Sequence, residues 1–173
     1  ILFMNSFRTS VPWWLKVLIK LFLSAFGPSY VFWRNLGFFK HGKMDDFSYS
    51  LNVVNTHLRN FSPSLSLSNS TVLEIGPGDF AATSLIVSAY GGNSILLDSA
   101  PYVSEDISAY LPLAKKIGFS QSHISEAFSS STFSKFLSSF HSFYLTNGIR
   151  SLSNLSSHSV DFIFSQAVLE HLP

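Results

Sequence analysis

Glu74, Gly76, Gly78 and Asp98 are the residues whose types and spacing could do chemistry in this 173-residue chain. Thr71-Val72-Leu73-Glu74-Ile75 is a short apolar run carrying one acid. It leads into the turn Gly76-Pro77-Gly78-Asp79-Phe80 and then into an apolar helical stretch. A second apolar run, Ile95-Leu96-Leu97, ends on Asp98, 20 residues after Gly78. Open α/β sheets build pockets for nucleotide-like cofactors in this way. Glycines let the backbone approach the ligand, and an acid at the end of the next strand accepts from ribose hydroxyls.

Two cofactor classes use that geometry. Gly76, Gly78 and Ala81 satisfy the loose G-x-G-x-x-G/A pattern, which permits an NAD(P)-binding oxidoreductase. Three neighbours argue against a diphosphate. Glu74 stands two residues before the first glycine, Pro77 removes one N–H from the turn, and Asp79 puts a carboxylate where a pyrophosphate would sit. Acids around the loop repel a diphosphate but suit a cationic amine and a sulfonium, the charges of S-adenosylmethionine.

Val72-Leu73-Glu74-Ile75-Gly76-Pro77-Gly78 resembles the first motif of class I S-adenosylmethionine-dependent methyltransferases. Asp98 resembles their ribose-binding acid. The segment from Ser159 to Leu172, with Leu169-Glu170-His171, resembles their fourth strand and following helix. The resemblance covers residues 71–173. It implies a Rossmann-like open parallel sheet, here the first four strands of a seven-strand core, and S-adenosyl-L-methionine as cofactor. It further implies that Gly76, Pro77 and Gly78 form the cofactor loop, that Glu74 orients it, and that Asp98 binds the ribose. Ser165 and Gln166 would border the methyl donor and the substrate. Asn147 would serve adenine, since Asn147-Gly148-Ile149-Arg150 lacks the acid common at that place. Phe80 replaces a frequent third glycine. Ala167 replaces the first glutamate of a Glu-x-x-Glu-His metal set, so no metal is expected. The implied reaction is methyl transfer to the oxygen, nitrogen or carbon of a small-molecule acceptor. No residue stands out as its base; His171 and His57 are the candidates.

Strand–helix alternation places these residues in an α/β domain from residue 71 onward. The expected strands are Thr71–Ile75, Ser94–Asp98, Phe143–Thr146 and Val160–Ser165. Helices are expected over Phe80–Tyr90, over Glu105–Ile117 with a kink or split at Pro112, through Phe128, Phe133, Phe136, Leu137 and Phe140, and from Gln166. Residues 1–70 read as a helical extension or lid. One helix spans Val11–Gly27 and another starts at Asp45-Asp46, where acids suit the helix dipole. His41, Tyr49 and His57 lie in this lid segment, as packing residues or as site residues lent to the cofactor.

The remaining composition excludes more than it suggests. A net charge of +1 with dispersed basic residues gives no stripe for nucleic acid. Without cysteine there is no disulfide, thiolate metal site or cysteine nucleophile. There is no G-x-S-x-G elbow, and His123, His141 and His158 have no metal-ligand spacing. Residues 12–26 are too short and charged to span a membrane, though Trp14, Lys16 and Lys20 suit peripheral contact. A cytoplasmic location is expected. The start at Ile1 and the end at Pro173 suggest a piece of a longer chain. A non-catalytic cofactor-binding or membrane-peripheral module is the remaining alternative.

Overall fold

The computed structural model describes residues 12, 14, 15, 18, 43–61 and 66–166. The chain forms two compact units, Ile1–Lys40 and His41–Pro173. In the first, Trp14, Leu15 and Leu18 are helical, and the Leu15 N–H donates to the Pro12 carbonyl at 3.1 Å. Proline at a helix start fits, because its missing N–H is one the helix could not bond anyway. The rest of residues 12–26, and with it the membrane-contact expectation, lies outside the described residues. No helix among the described residues is long and apolar enough to cross a membrane.

The second unit opens with α1, Phe47–Phe61. Asp46 caps it: Oδ1 accepts from the Tyr49 N–H at 2.8 Å. This helix belongs to the unit that carries the sheet, whereas the sequence grouped it with the extension over residues 1–70.

The fold class is α/β, with four parallel strands: β1 (Thr71–Ile75), β2 (Asn93–Leu97), β3 (Ser142–Leu145) and β4 (Phe162–Ser165). Their order is β3-β2-β1-β4, an open Rossmann-like sheet. Successive strand residues face opposite sides. Val72, Leu96, Phe162 and Phe164 therefore join the large core. Leu73, Ile95 and Leu97 form a smaller cluster on the other face, with Leu152, Leu155 and Val160 packed against it. Helix α2, Ala82–Ala89, packs between α1 and β2. Because β2 and β4 flank β1 on opposite sides, the chain reverses direction across the sheet between β1 and β4. The crevice at their carboxyl ends is where such sheets bind ligands.

The expected helical stretch over Glu105–Ile117 is present and split, whereas the stretch that follows it needs correction. The stretch over Glu105–Ile117 begins as a 3-10 turn, Ile107–Tyr110, and becomes α3, Leu111–Ile117, with Pro112 in its first turn. An unexpected helix α4 covers Gln121–Phe128, because Ser120 Oγ accepts from the His123 N–H at 3.2 Å and caps it. Phe128 ends that helix instead of sharing one with Phe133. Thr132 caps a separate α5, Phe133–Ser138, by accepting from the Lys135 N–H at 3.3 Å. The helix expected from Gln166, with Leu169, Glu170 and His171, lies outside the described residues.

Candidate functional site

The glycine loop leaves β1 through two left-handed residues, Gly76 at φ 74° and Gly78 at φ 75°. A side chain there would strain the backbone, so the glycines are a conformational requirement. The Gly76 N–H donates to the Leu97 carbonyl at 2.8 Å, tying the loop to β2. Phe80, in place of a third glycine, turns into the core and stacks on Tyr110, with centroids 4.0 Å apart and an interplanar angle of 11°. The Tyr110 hydroxyl accepts from the Ala81 N–H at 3.3 Å and donates to the Ser104 carbonyl at 2.7 Å. Sequence reasoning missed Tyr110, since nothing local links it to a loop 29 residues earlier.

Glu74 follows the strand's alternation into the large-core face, where only 1 % of its surface is exposed. Burial pushes its carboxyl up to about 7, the Thr83 hydroxyl holds it back, and the Asp98 charge adds to the rise. Neither Glu74 Oε2 nor Thr83 Oγ1 has a hydrogen-bond partner of good geometry, so Thr83 acts as a nearby dipole more than as a bonded partner. Glu74 is therefore partly protonated near neutral pH.

Asp98 stands at the carboxyl end of β2, half-buried. Its Oδ1 accepts from the Ser99 N–H at 2.7 Å and the Ser99 hydroxyl at 3.5 Å. Burial raises its pKa, and the Ser99 bonds oppose the rise. The Gly148 N–H donates to the Asp98 carbonyl at 2.8 Å, which brings exposed Asn147 beside the Asp98 turn. Tyr144 on β3 braces that turn. Its hydroxyl accepts from the N–H groups of Tyr102 at 3.0 Å and Val103 at 3.3 Å and donates to the Ala100 carbonyl at 3.0 Å. Burial pushes the phenol up to about 12, so it stays a protonated donor. Tyr144 was also missed, because its partners lie in another part of the chain.

At the end of β4, Ser165 pairs in register with Ile75, and its buried hydroxyl has no partner among the described residues. The next residue, Gln166, is exposed, and its Oε1 lies 3.0 Å from His57 Nε2. The His57 ring stacks on Phe164 at 4.7 Å and 28°. The sheet thus gathers Glu74, Gly76, Pro77, Gly78, Asp98, Asn147, Ser165, Gln166 and His57 about its carboxyl edge. His171 and His41 lie outside the described residues. Tyr49 packs against the large core.

Other candidates fall away from this crevice. His123 stacks between Phe119 and Phe140, while exposed His141 and His158 occupy turns at φ 51° and 61°. Among the described residues no three His, Asp or Glu side chains are grouped to hold a metal ion. A groove of about 440 Å³ follows β3 beside Pro101, Glu105, Thr132 and Phe133, and contains none of the expected site residues. No family model, curated protein or solved structure matches the chain.

Proposed function

We propose that the protein is an S-adenosylmethionine-dependent methyltransferase acting on a small-molecule acceptor. The observation that carries this over an NAD(P) enzyme is the charge of the glycine loop: Asp79 sets a carboxylate at the helix start, where a diphosphate would sit. Gly76 spends its N–H on Leu97, Pro77 has none, and Ala81 spends its N–H on the Tyr110 hydroxyl. A diphosphate at this helix start would meet the Asp79 carboxylate and could not use those three positions.

The residues present fit a sulfonium cofactor. Two left-handed glycines leave the loop without side chains where a ligand must come close. Asp98 keeps Oδ2 without a partner among the described residues, suited to ribose hydroxyls. Ser165 Oγ and Glu74 Oε2 are buried polar atoms without a hydrogen bond among the described residues. Gly76, Pro77 and Gly78 would carry the methionine part, with Glu74 steadying the loop from beneath. Asp98 would hold the ribose and Asn147 the adenine. The bound cofactor supplies a methyl group already activated on sulfur. The chain's main contribution is then positioning, worth about 7–11 kcal/mol when two reactants are held in line.

Thermal unfolding tests the proposal. A ligand that binds only the folded state at 100 times its Kd adds about 2.7 kcal/mol. S-adenosylhomocysteine should raise the midpoint and NAD should leave it unchanged; the reverse pattern supports an oxidoreductase. A non-catalytic module would bind S-adenosylmethionine yet transfer no labelled methyl to any acceptor in a broad small-molecule panel.

A further inference from the structure

We infer that His57 is the base that takes the proton from the acceptor's nucleophile, which makes the acceptor an O–H or N–H compound. This rests on the methyltransferase reading above. His57 comes from α1, 109 positions before Gln166, yet its Nε2 stands 3.0 Å from Gln166 Oε1. An amide oxygen only accepts, so Nε2 carries the hydrogen and Nδ1 keeps its lone pair. Phe164 fixes the plane of the ring by stacking at 4.7 Å. Phe164 also pairs in register with Glu74 on β1. The imidazole thereby stands against β4, one of the two strands whose carboxyl ends border the crevice. It is only partly buried, and Nδ1 has no partner among the described residues.

The chemistry narrows the acceptor. A base helps a hydroxyl or a protonated amine and is idle for a thioether or a carboxylate. The acceptor's O–H or N–H bond breaks and an N–H bond forms at Nδ1. The electron pair left on the acceptor atom makes the new bond to the methyl carbon, and the carbon–sulfur pair departs on sulfur as a neutral thioether. The positive charge passes to the imidazolium, whose Nε2–H faces the Gln166 oxygen.

Long-range 1H–15N NMR of the full chain tests this, with His57→Asn identifying the His57 signals. The free protein should show the Nε2–H tautomer at His57, and the Nδ1–H tautomer there overturns the assignment of Nδ1 as the free base. S-adenosylhomocysteine and S-adenosylmethionine should each move the His57 ring signals, and to different positions, because the two ligands differ by one charge on sulfur. The signals of His123, His141 and His158 should stay in place. If both ligands bind by calorimetry but His57 does not move, or moves identically for both, the base is refuted while the methyltransferase reading stands. If neither ligand binds, both fall.

Discussion

Phe80 lies flat on Tyr110, with ring centroids 4.0 Å apart, and this stack anchors the end of the glycine loop to the 3-10 turn before α3. The Tyr110 hydroxyl completes the anchor by bridging the Ala81 N–H and the Ser104 carbonyl. Tyr110→Phe keeps the stack but leaves the buried Ala81 N–H unpaired, at about 1–3 kcal/mol. Phe80→Ala removes the ring itself and should cost about 3–5 kcal/mol. Urea unfolding of the two variants should rank them in that order.

Burying Glu74 gives stability a definite pH dependence. Its carboxyl rises from 4.5 to about 7 on folding, so between these values the folded state binds more protons than the unfolded one. Stability from this group is complete below pH 4.5 and declines as pH rises through 7, by about 3 kcal/mol in all. The rise at Asp98 acts in the same direction. Glu74→Gln should flatten the decline and be the more stable protein at pH 8. Denaturant titrations at pH 5 and pH 8 check the sign: a wild type that gains stability over this range contradicts it.

The positive φ of Gly76 and Gly78 makes each intolerant of a side chain. Gly76→Ala and Gly78→Ala should each lose about 1–2 kcal/mol through left-handed strain. Both should also weaken S-adenosylhomocysteine binding, because a Cβ enters the loop that approaches the ligand. Gly118→Ala serves as the control. It shares the left-handed backbone at φ 93°, has open space around it, and should lose stability without losing affinity.

Asp98 and Tyr144 should separate binding from folding. Asp98→Ala removes a charged acceptor, and hydrogen bonds to charged groups contribute about 1.5–3 kcal/mol. S-adenosylhomocysteine affinity should fall about tenfold to a hundredfold while the fold is retained, as read by calorimetry and circular dichroism. Tyr144→Phe frees the turn after β2 from its brace and should lower affinity less. It should also speed hydrogen exchange at the Tyr102 and Val103 amides.

Much of this was readable in the residues. An apolar run into Gly76-Pro77-Gly78 can only be a strand entering a tight turn, and β1 spans Thr71–Ile75 as expected. The second and third strands each begin and end one residue earlier than expected and the fourth begins two later, because pairing with a neighbour decides the boundary. The serine-rich stretch after Ile117 holds two helices where one, through Phe128–Phe140, is expected, because serine and threonine caps divide it. Gly118 at φ 93° ends one helix, and Ser120 and Thr132 cap the next two. Those signals lay in plain view as caps. Tyr110, Tyr144 and the meeting of His57 with Gln166 are different. They depend on which distant segments the sheet brings together, and no local pattern encodes that.

Calorimetric titration of the purified protein with S-adenosylhomocysteine, in parallel with NAD, tests the central claim most directly. The account predicts saturable, one-to-one binding of S-adenosylhomocysteine that weakens in Asp98→Ala, and no heat of binding with NAD. Saturable binding of NAD with none for S-adenosylhomocysteine would contradict it.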